Sequence, residues 1–136
     1  MRKINLLIFV CFIIFISFAL AQENKLEVNQ MDFCENIEAG KPVGISTIFA
    51  DTISSVYCFT VMADVEDSVA ISHIWYHNDM EISELELMVK PDSLAIWSSK
   101  AMMEEWTGTW RVDVVAPDGK ILMSKEFMLQ ATMEGY

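Results

Sequence analysis

Ser83-Glu84-Leu85-Glu86-Leu87, with Val89 two residues on, alternates apolar and acidic side chains at period two. That period belongs to a strand with one wet face: it sets Leu85, Leu87 and Val89 inward and Glu84 and Glu86 outward. Working outward, the same short, β-branched and aromatic segments recur along the chain, separated by turn residues. They predict strands at 31–37, 43–49, 55–63, 70–77, 84–90, 94–99, 109–116 and 121–129. Ala116-Pro117-Asp118-Gly119-Lys120 reads as a tight turn, because Pro presets φ and Gly accepts a positive one. His77-Asn78-Asp79-Met80 and Glu38-Ala39-Gly40-Lys41-Pro42 read as two more. Lys100 to Trp106 consists of good helix formers and predicts a turn or two of helix ending at Gly108. Seven to eight short strands with almost no helix predict an all-β, antiparallel, immunoglobulin-like β-sandwich.

The N-terminus reads as a secretory signal. Arg2 and Lys3 precede an apolar run over 4–18, and Ala19-Leu20-Ala21 offers a small-x-small cleavage site. Cleavage near Ala21 sends the protein to the periplasm or the exterior. The alternative is a membrane anchor formed by an uncleaved N-terminal helix, since the run is at the edge of a spanning length. Residues 22–30 read as a flexible lead-in and 31–136 as one β-sandwich domain. A mature chain of this size is long enough for one core and too short for two ordinary domains.

Cleavage leaves 7 of the 9 Lys and Arg side chains against all 20 Asp and Glu, a net charge of −13. Such a surface repels phosphate backbones and anionic headgroups, so nucleic acid is not an expected partner. Cys34 and Cys58 remain after Cys11 leaves with the signal, and in an oxidising compartment an even pair predicts a disulfide. The loop it would close, of about 25 residues, would stabilise by roughly 3 kcal/mol. Two thiols without a nearby His or a second Cys pair do not make a zinc site. No metal and no cofactor are expected.

Six short motifs occur in order: Pro42-Val43, Tyr57-Cys58-Phe59-Thr60, His73-Ile74-Trp75-Tyr76, Trp97-Ser98-Ser99-Lys100, Gly108-Thr109-Trp110-Arg111-Val112 and Asp118-Gly119. In kind, order and spacing, from about residue 33 to 129, they resemble the bacterial family called domain of unknown function 2914. The resemblance implies a β-sandwich in an exported or envelope setting, and no established activity. One departure is visible. Family members often carry an Arg-rich segment before the Trp-Ser-Ser-Lys motif, where this chain has Leu94-Ala95-Ile96. An anionic ligand is therefore not carried over.

The residues able to support chemistry are few. His73 and His77 share one strand face, but lie about 13 Å apart on an extended chain, too far to grip one ion. His73 is therefore expected to be buried or half-buried and hydrogen-bonded to backbone, and His77 to sit at the turn mouth. An enzyme reading would use His73 with Ser99 and Lys100, and requires the three to converge in a cleft. Ser99 and Lys100 are neighbours on a strand and point to opposite faces, so a packing role is preferred. A carbohydrate-binding reading would use Tyr76, Trp97 and Trp106 as one stacking platform, with Trp75 and Trp110 in the core. Arg111 is expected to pair with a cross-strand acid, Glu126 or Glu86. The ligand-binding candidates are thus His73, Tyr76, Trp97, Lys100 and Trp106. The structural motif comprises Trp75, Ser98, Ser99, Gly108, Trp110, Arg111, Pro117, Asp118 and Gly119. The function expected is a non-catalytic binding or interaction module of the bacterial envelope, with an unidentified protein or a glycan as partner.

Overall fold

Period-two burial runs through most of the chain, and most of the strands it predicts are present in the structure, a computed structural model describing residues 25–132. Ten strands follow one another: β1 (Glu27–Cys34), β2 (Asn36–Glu38), β3 (Lys41–Val43), β4 (Ile48–Ala50), β5 (Ser55–Ala63), β6 (Val69–His77), β7 (Met80–Val89), β8 (Ala95–Ala101), β9 (Gly108–Val115) and β10 (Ile121–Gln130). A three-stranded sheet, β1-β5-β8, packs on a five-stranded sheet, β4-β10-β9-β6-β7, and β2-β3 form a small hairpin. The fold is an all-β sandwich. Its pairs are antiparallel except β4–β10, which is parallel through Met128↔Ile48, Leu129↔Phe49 and Gln130↔Ala50.

The two inner faces share one core. β1 and β5 contribute Met31, Phe33, Val56, Cys58 and Met62; the opposite sheet contributes Ile71, Trp75, Trp110, Val112, Val114, Phe127 and Leu129. Phe127 is the hub of an aromatic cluster. Its ring stacks on Trp110 at 5.9 Å and meets Trp75 edge-on at 6.2 Å, with Phe33 4.6 Å away across the sheets. Offset and edge contacts of this kind add to the area that such large rings bury.

The three turns form as the sequence predicts. Asn78 (φ 48°) and Asp79 (φ 66°) are both left-handed, as are Ala39 and Gly40. These are the dihedrals of two-residue hairpins whose twist matches the strands. At the β9–β10 turn Gly119 N–H donates to Ala116 O at 2.9 Å, and Gly119 has φ 89°.

Several expectations are corrected. β1 begins at Glu27, inside the stretch read as a lead-in, because Val28 packs against the core. A bulge between Val28 and Gln30 hides the alternation there. No single strand spans 43–49: Gly44 takes φ +72°, and the chain re-enters a sheet only at Ile48. The expected helix shrinks to one 3-10 turn, Glu104–Trp106. Lys100 and Ala101 stay in β8, and Met102 N–H donates to Ser54 O at 2.9 Å, so strand pairing overrides helix propensity. Leu85 is in register with His73 on the inner side but is exposed, because β7 is an edge strand.

The expected disulfide is also overturned. Cys34 and Cys58 are both free and buried. The β1–β5 register pairs Cys34 with Tyr57 and Cys58 with Phe33, so the two thiols are one step out of register and point to opposite faces of the sheet. Cys58 faces the core; Cys34 faces outward, its thiol beside the backbone of Asn36 and Val43 on the hairpin. Burial raises both thiol pKa values, that of Cys58 to about 12.

The signal reading over 1–21, Cys11 within it, and the last four residues lie outside the described residues. Among those described, no helix is long and apolar enough to cross a membrane.

Candidate functional site

β5, β6 and β8 each send polar side chains to their inner faces, and these meet between the sheets. His73, Thr60 and Ser98 are all buried. His73 Nδ1 lies 2.7 Å from Ser98 Oγ, and its Nε2 lies 3.0 Å from Thr60 Oγ1. Trp75 Nε1–H donates to Ser98 Oγ at 3.0 Å, and Cys58 Sγ is 3.9 Å from Thr60 Oγ1. Five side chains on three strands form one chain of hydrogen bonds inside an apolar core. It ties β5 and β8 of one sheet to β6 of the other.

Donor counting fixes its direction. Trp75 only donates. If Ser98 O–H donates to Nδ1, then Nε2–H donates to Thr60, and Thr60 O–H points to Cys58 Sγ. The donor left over is then the thiol, the weakest donor in the set. The opposite direction leaves the Ser98 hydroxyl as the extra donor, a costlier orphan. The network therefore favours a neutral His73 with its proton on Nε2. Burial disfavours the imidazolium and lowers the His73 pKa from 6.5 to about 4.

The proposed enzyme set does not converge. Ser99 is exposed on the outer face, Lys100 points inward with Nζ 5.4 Å from the centre of the Trp106 ring, and neither is hydrogen-bonded to His73. The serine that meets His73 is Ser98. The signal for it was available in the sequence: Ser98 alternates with Ile96, which puts a serine on the apolar face of β8. His77 does not share the His73 network either. Its Nε2–H donates to Thr107 O at 2.9 Å, and the ring stacks on Trp110 at 4.7 Å.

The three rings of the supposed sugar platform lie apart. Trp97 is on the outer face of the three-stranded sheet, 41% exposed and stacked on Phe59 at 6.1 Å. Tyr76 is on the outer face of the five-stranded sheet, with the Arg111 guanidinium 4.1 Å above its ring. Trp106 is half-buried in the loop after β8 and packs on Trp110 at 5.6 Å, while the Trp110 Nε1–H donates to Trp106 O. Trp75 and Trp110 are in the core, as their mid-strand positions predict.

Arg111 bridges Asp79 at 2.8 Å and Asp113 at 3.2 Å. Glu126 is opposite it in register but is not its ion-pair partner, and Glu86 pairs with Ser72. Asp113, which the sequence reading passed over between two core valines, is buried and accepts from Ser124 Oγ at 2.6 Å. A hollow of about 280 Å³ beside this cluster is lined by Asn78, Asp79, Thr109, Arg111 and Glu126. A larger hollow, about 710 Å³, is lined by Lys25, Leu26 and residues 64–69 and holds none of the candidate residues. Among the described residues no group of three His, Cys, Asp or Glu side chains is placed to hold a metal ion. Gly108 is where β9 crosses close to the β6–β7 turn. It has φ +124°, and a Cβ there would come within 2.7 Å of Asn78 Oδ1.

The molecule is thus an all-β sandwich in which His73, Thr60 and Ser98 are turned inward among core aromatics, while Tyr76, Trp97 and Arg111 sit on two outer faces. Residues 69–129, from β6 to the end of β10, match the family described as Protein of unknown function (DUF2914), the family that the sequence motifs resemble. The matched segment holds four of the six motifs and stops short of Pro42-Val43 and Tyr57-Cys58-Phe59-Thr60. Among curated proteins none matches the chain.

Proposed function

We propose that this protein is a non-catalytic interaction module, exported to the cell envelope, that contacts another protein through the face carrying Trp97. The observation that carries the reading is the enclosure of His73: it is fully buried and both ring nitrogens are already engaged by hydroxyls. A general base must reach the proton it abstracts, and a buried ring with both nitrogens engaged is poorly placed to do so. The fold spends its His–Ser contact on joining two sheets. The outer surface holds the features suited to recognition. A large, partly exposed, rigidly stacked Trp97 is the kind of anchor that dominates protein contacts. Export is supported by the sequence of residues 1–21 and fits the acidic balance of the rest. A glycan partner is less favoured, because Tyr76, Trp97 and Trp106 occupy three separate places.

The test pairs a chemical assay with an optical one. The purified protein is expected to hydrolyse p-nitrophenyl acetate no faster than its heat-denatured control. Acrylamide is expected to quench mainly one tryptophan, and Trp97→Phe to remove that quenchable fraction. Ester hydrolysis that disappears in a folded His73→Gln variant would overturn the reading.

A further inference from the structure

A sandwich with two open sheets has four edges, and each is a row of unpaired backbone groups that natural proteins protect. Three of the four are protected here. β4 is only three residues long. β7 carries Glu81, Glu84 and Glu86, and its pairing with β6 is interrupted by a bulge. The free edge of β1 is capped: Lys125 Nζ donates to Met31 O at 2.9 Å and Ser46 N–H to Phe33 O at 3.1 Å.

β8 is less protected: it is neither short, bulged nor capped, and its single charge is Lys100. It is seven residues long, Ala95-Ile96-Trp97-Ser98-Ser99-Lys100-Ala101, and pairs with β5 in unbroken register. Among the described residues no strand pairs with its other side. The backbone groups that face outward can be identified. Met102 N–H donates to Ser54 O and Met62 N–H to Leu94 O, so the even-numbered residues of β8 make the hydrogen bonds to β5. The N–H and C=O groups of Ala95, Trp97, Ser99 and Ala101 therefore point to the open side. Ser99 and Ala101 are exposed, and so is much of Trp97.

We infer that the occupant of this edge is the β8 strand of a second copy of the chain, joining two three-stranded sheets into one antiparallel six-stranded sheet. The strand is self-complementary. Antiparallel pairing centred on Ser98 sets Ala95 opposite Ala101, and Trp97 opposite Ser99, on both sides of a two-fold axis. All the outward backbone groups pair, giving about eight hydrogen bonds; each Trp97 lies opposite a small Ser99, and the two Trp97 rings are diagonal neighbours across the two-fold axis, within reach of each other. An interface of this kind is isologous, so it closes at two copies. Charge permits it locally. The chain carries a net −11, yet residues 93–103 contain no acid and a single charge, Lys100, which is turned inward over Trp106. Acids elsewhere on the surface are screened beyond about 8 Å at physiological salt.

This inference rests on reading the Trp97 face as a contact surface, and it is tested by sedimentation together with amide hydrogen exchange, both over a range of protein concentrations. The expected result is a shift from the mass of one chain to that of two. With it, the amides of Trp97, Ser99 and Ala101 gain protection, while those of Ile96, Ser98 and Lys100 are protected at every concentration. Ser99→Pro, which removes an outward N–H and leaves the β5 ladder intact, is expected to lose the dimer without losing its melting transition. Should that variant fail to fold, the alternating amide pattern of the parent decides alone. A monomer at all concentrations, a dimer that persists in folded Ser99→Pro, or a dimer whose Trp97, Ser99 and Ala101 amides stay unprotected would overturn the second copy. None of these outcomes touches the non-catalytic reading, which fails only on His73-dependent hydrolysis.

Discussion

Acidification should destabilise this protein through one buried side chain in particular, His73. The folded state holds it neutral with a pKa of about 4, against 6.5 for the exposed residue. A depressed folded pKa means that the unfolded chain takes up the proton first. Stability is complete above pH 6.5, falls as pH drops below it, and stops falling from this cause below pH 4. The whole window corresponds to about 3 kcal/mol, of which about 2 kcal/mol is lost between pH 7.5 and pH 5. For a domain of this size that is a fall of roughly 10 °C in Tm. Among the described residues no carboxylate is hydrogen-bonded to the ring to offset the loss: its partners are the Thr60 and Ser98 hydroxyls. The surface carboxylates also respond to pH, so the assay is a comparison. Urea unfolding followed by circular dichroism is run at both pH values on the parent and on His73→Gln. The variant is less stable at pH 7.5, because it loses shape and hydrogen bonds, but its stability should change with pH by about 2 kcal/mol less than the parent's. Parallel pH dependences in the two proteins would refute the reasoning.

Further predictions address the cysteines, a stray hydroxyl, two glycines and the core. Reductant should leave the melting temperature unchanged, and a thiol reagent should find Cys34 and Cys58 only after denaturation, because both are free and buried. A reductant-dependent melt would restore the bridge. Ser83 Oγ is buried with no hydrogen-bond partner, so Ser83→Ala should stabilise by about 1 kcal/mol in urea unfolding. Gly108→Ala and Gly119→Ala both place a side chain at positive φ, but only the first drives a Cβ into Asn78 Oδ1. Gly119→Ala should cost about 1 kcal/mol and Gly108→Ala clearly more, read as the difference in denaturation midpoint. Trp110→Ala, at a fully buried ring packed on Phe127, His77 and Trp106, should cost about 3–5 kcal/mol.

The strands and tight turns were legible because their signals are local. β5 falls on the residues that period and composition predict, and the Asn78-Asp79 and Pro117-Asp118-Gly119 turns follow from backbone preference alone. The failures are long-range. Whether Cys34 meets Cys58 depends on a one-residue register between β1 and β5, which neither strand encodes by itself. Lys100 and Ala101 are good helix formers held extended by β5. The same holds for the candidate site. His73 stands out as a residue, but the alternative enzyme reading sets it with Ser99, whereas alternation with Ile96 places Ser98 on the inner face. Thr60 stands in the sequence only as the end of the Tyr57-Cys58-Phe59-Thr60 motif, and Asp113 carries no signal of its own, since a threonine or aspartate in a β-branched run is ordinary until its strand is placed opposite another.

The most direct measurement is a long-range proton–nitrogen correlation spectrum of the imidazole nitrogens in the folded protein at pH 6. The interior-network account predicts that His73 is neutral there, with the proton on Nε2, Nδ1 accepting from Ser98, and signals that do not move until the protein unfolds. A His73 ring that titrates near pH 6.5 in the folded state would show that solvent reaches it, and would contradict a purely structural role.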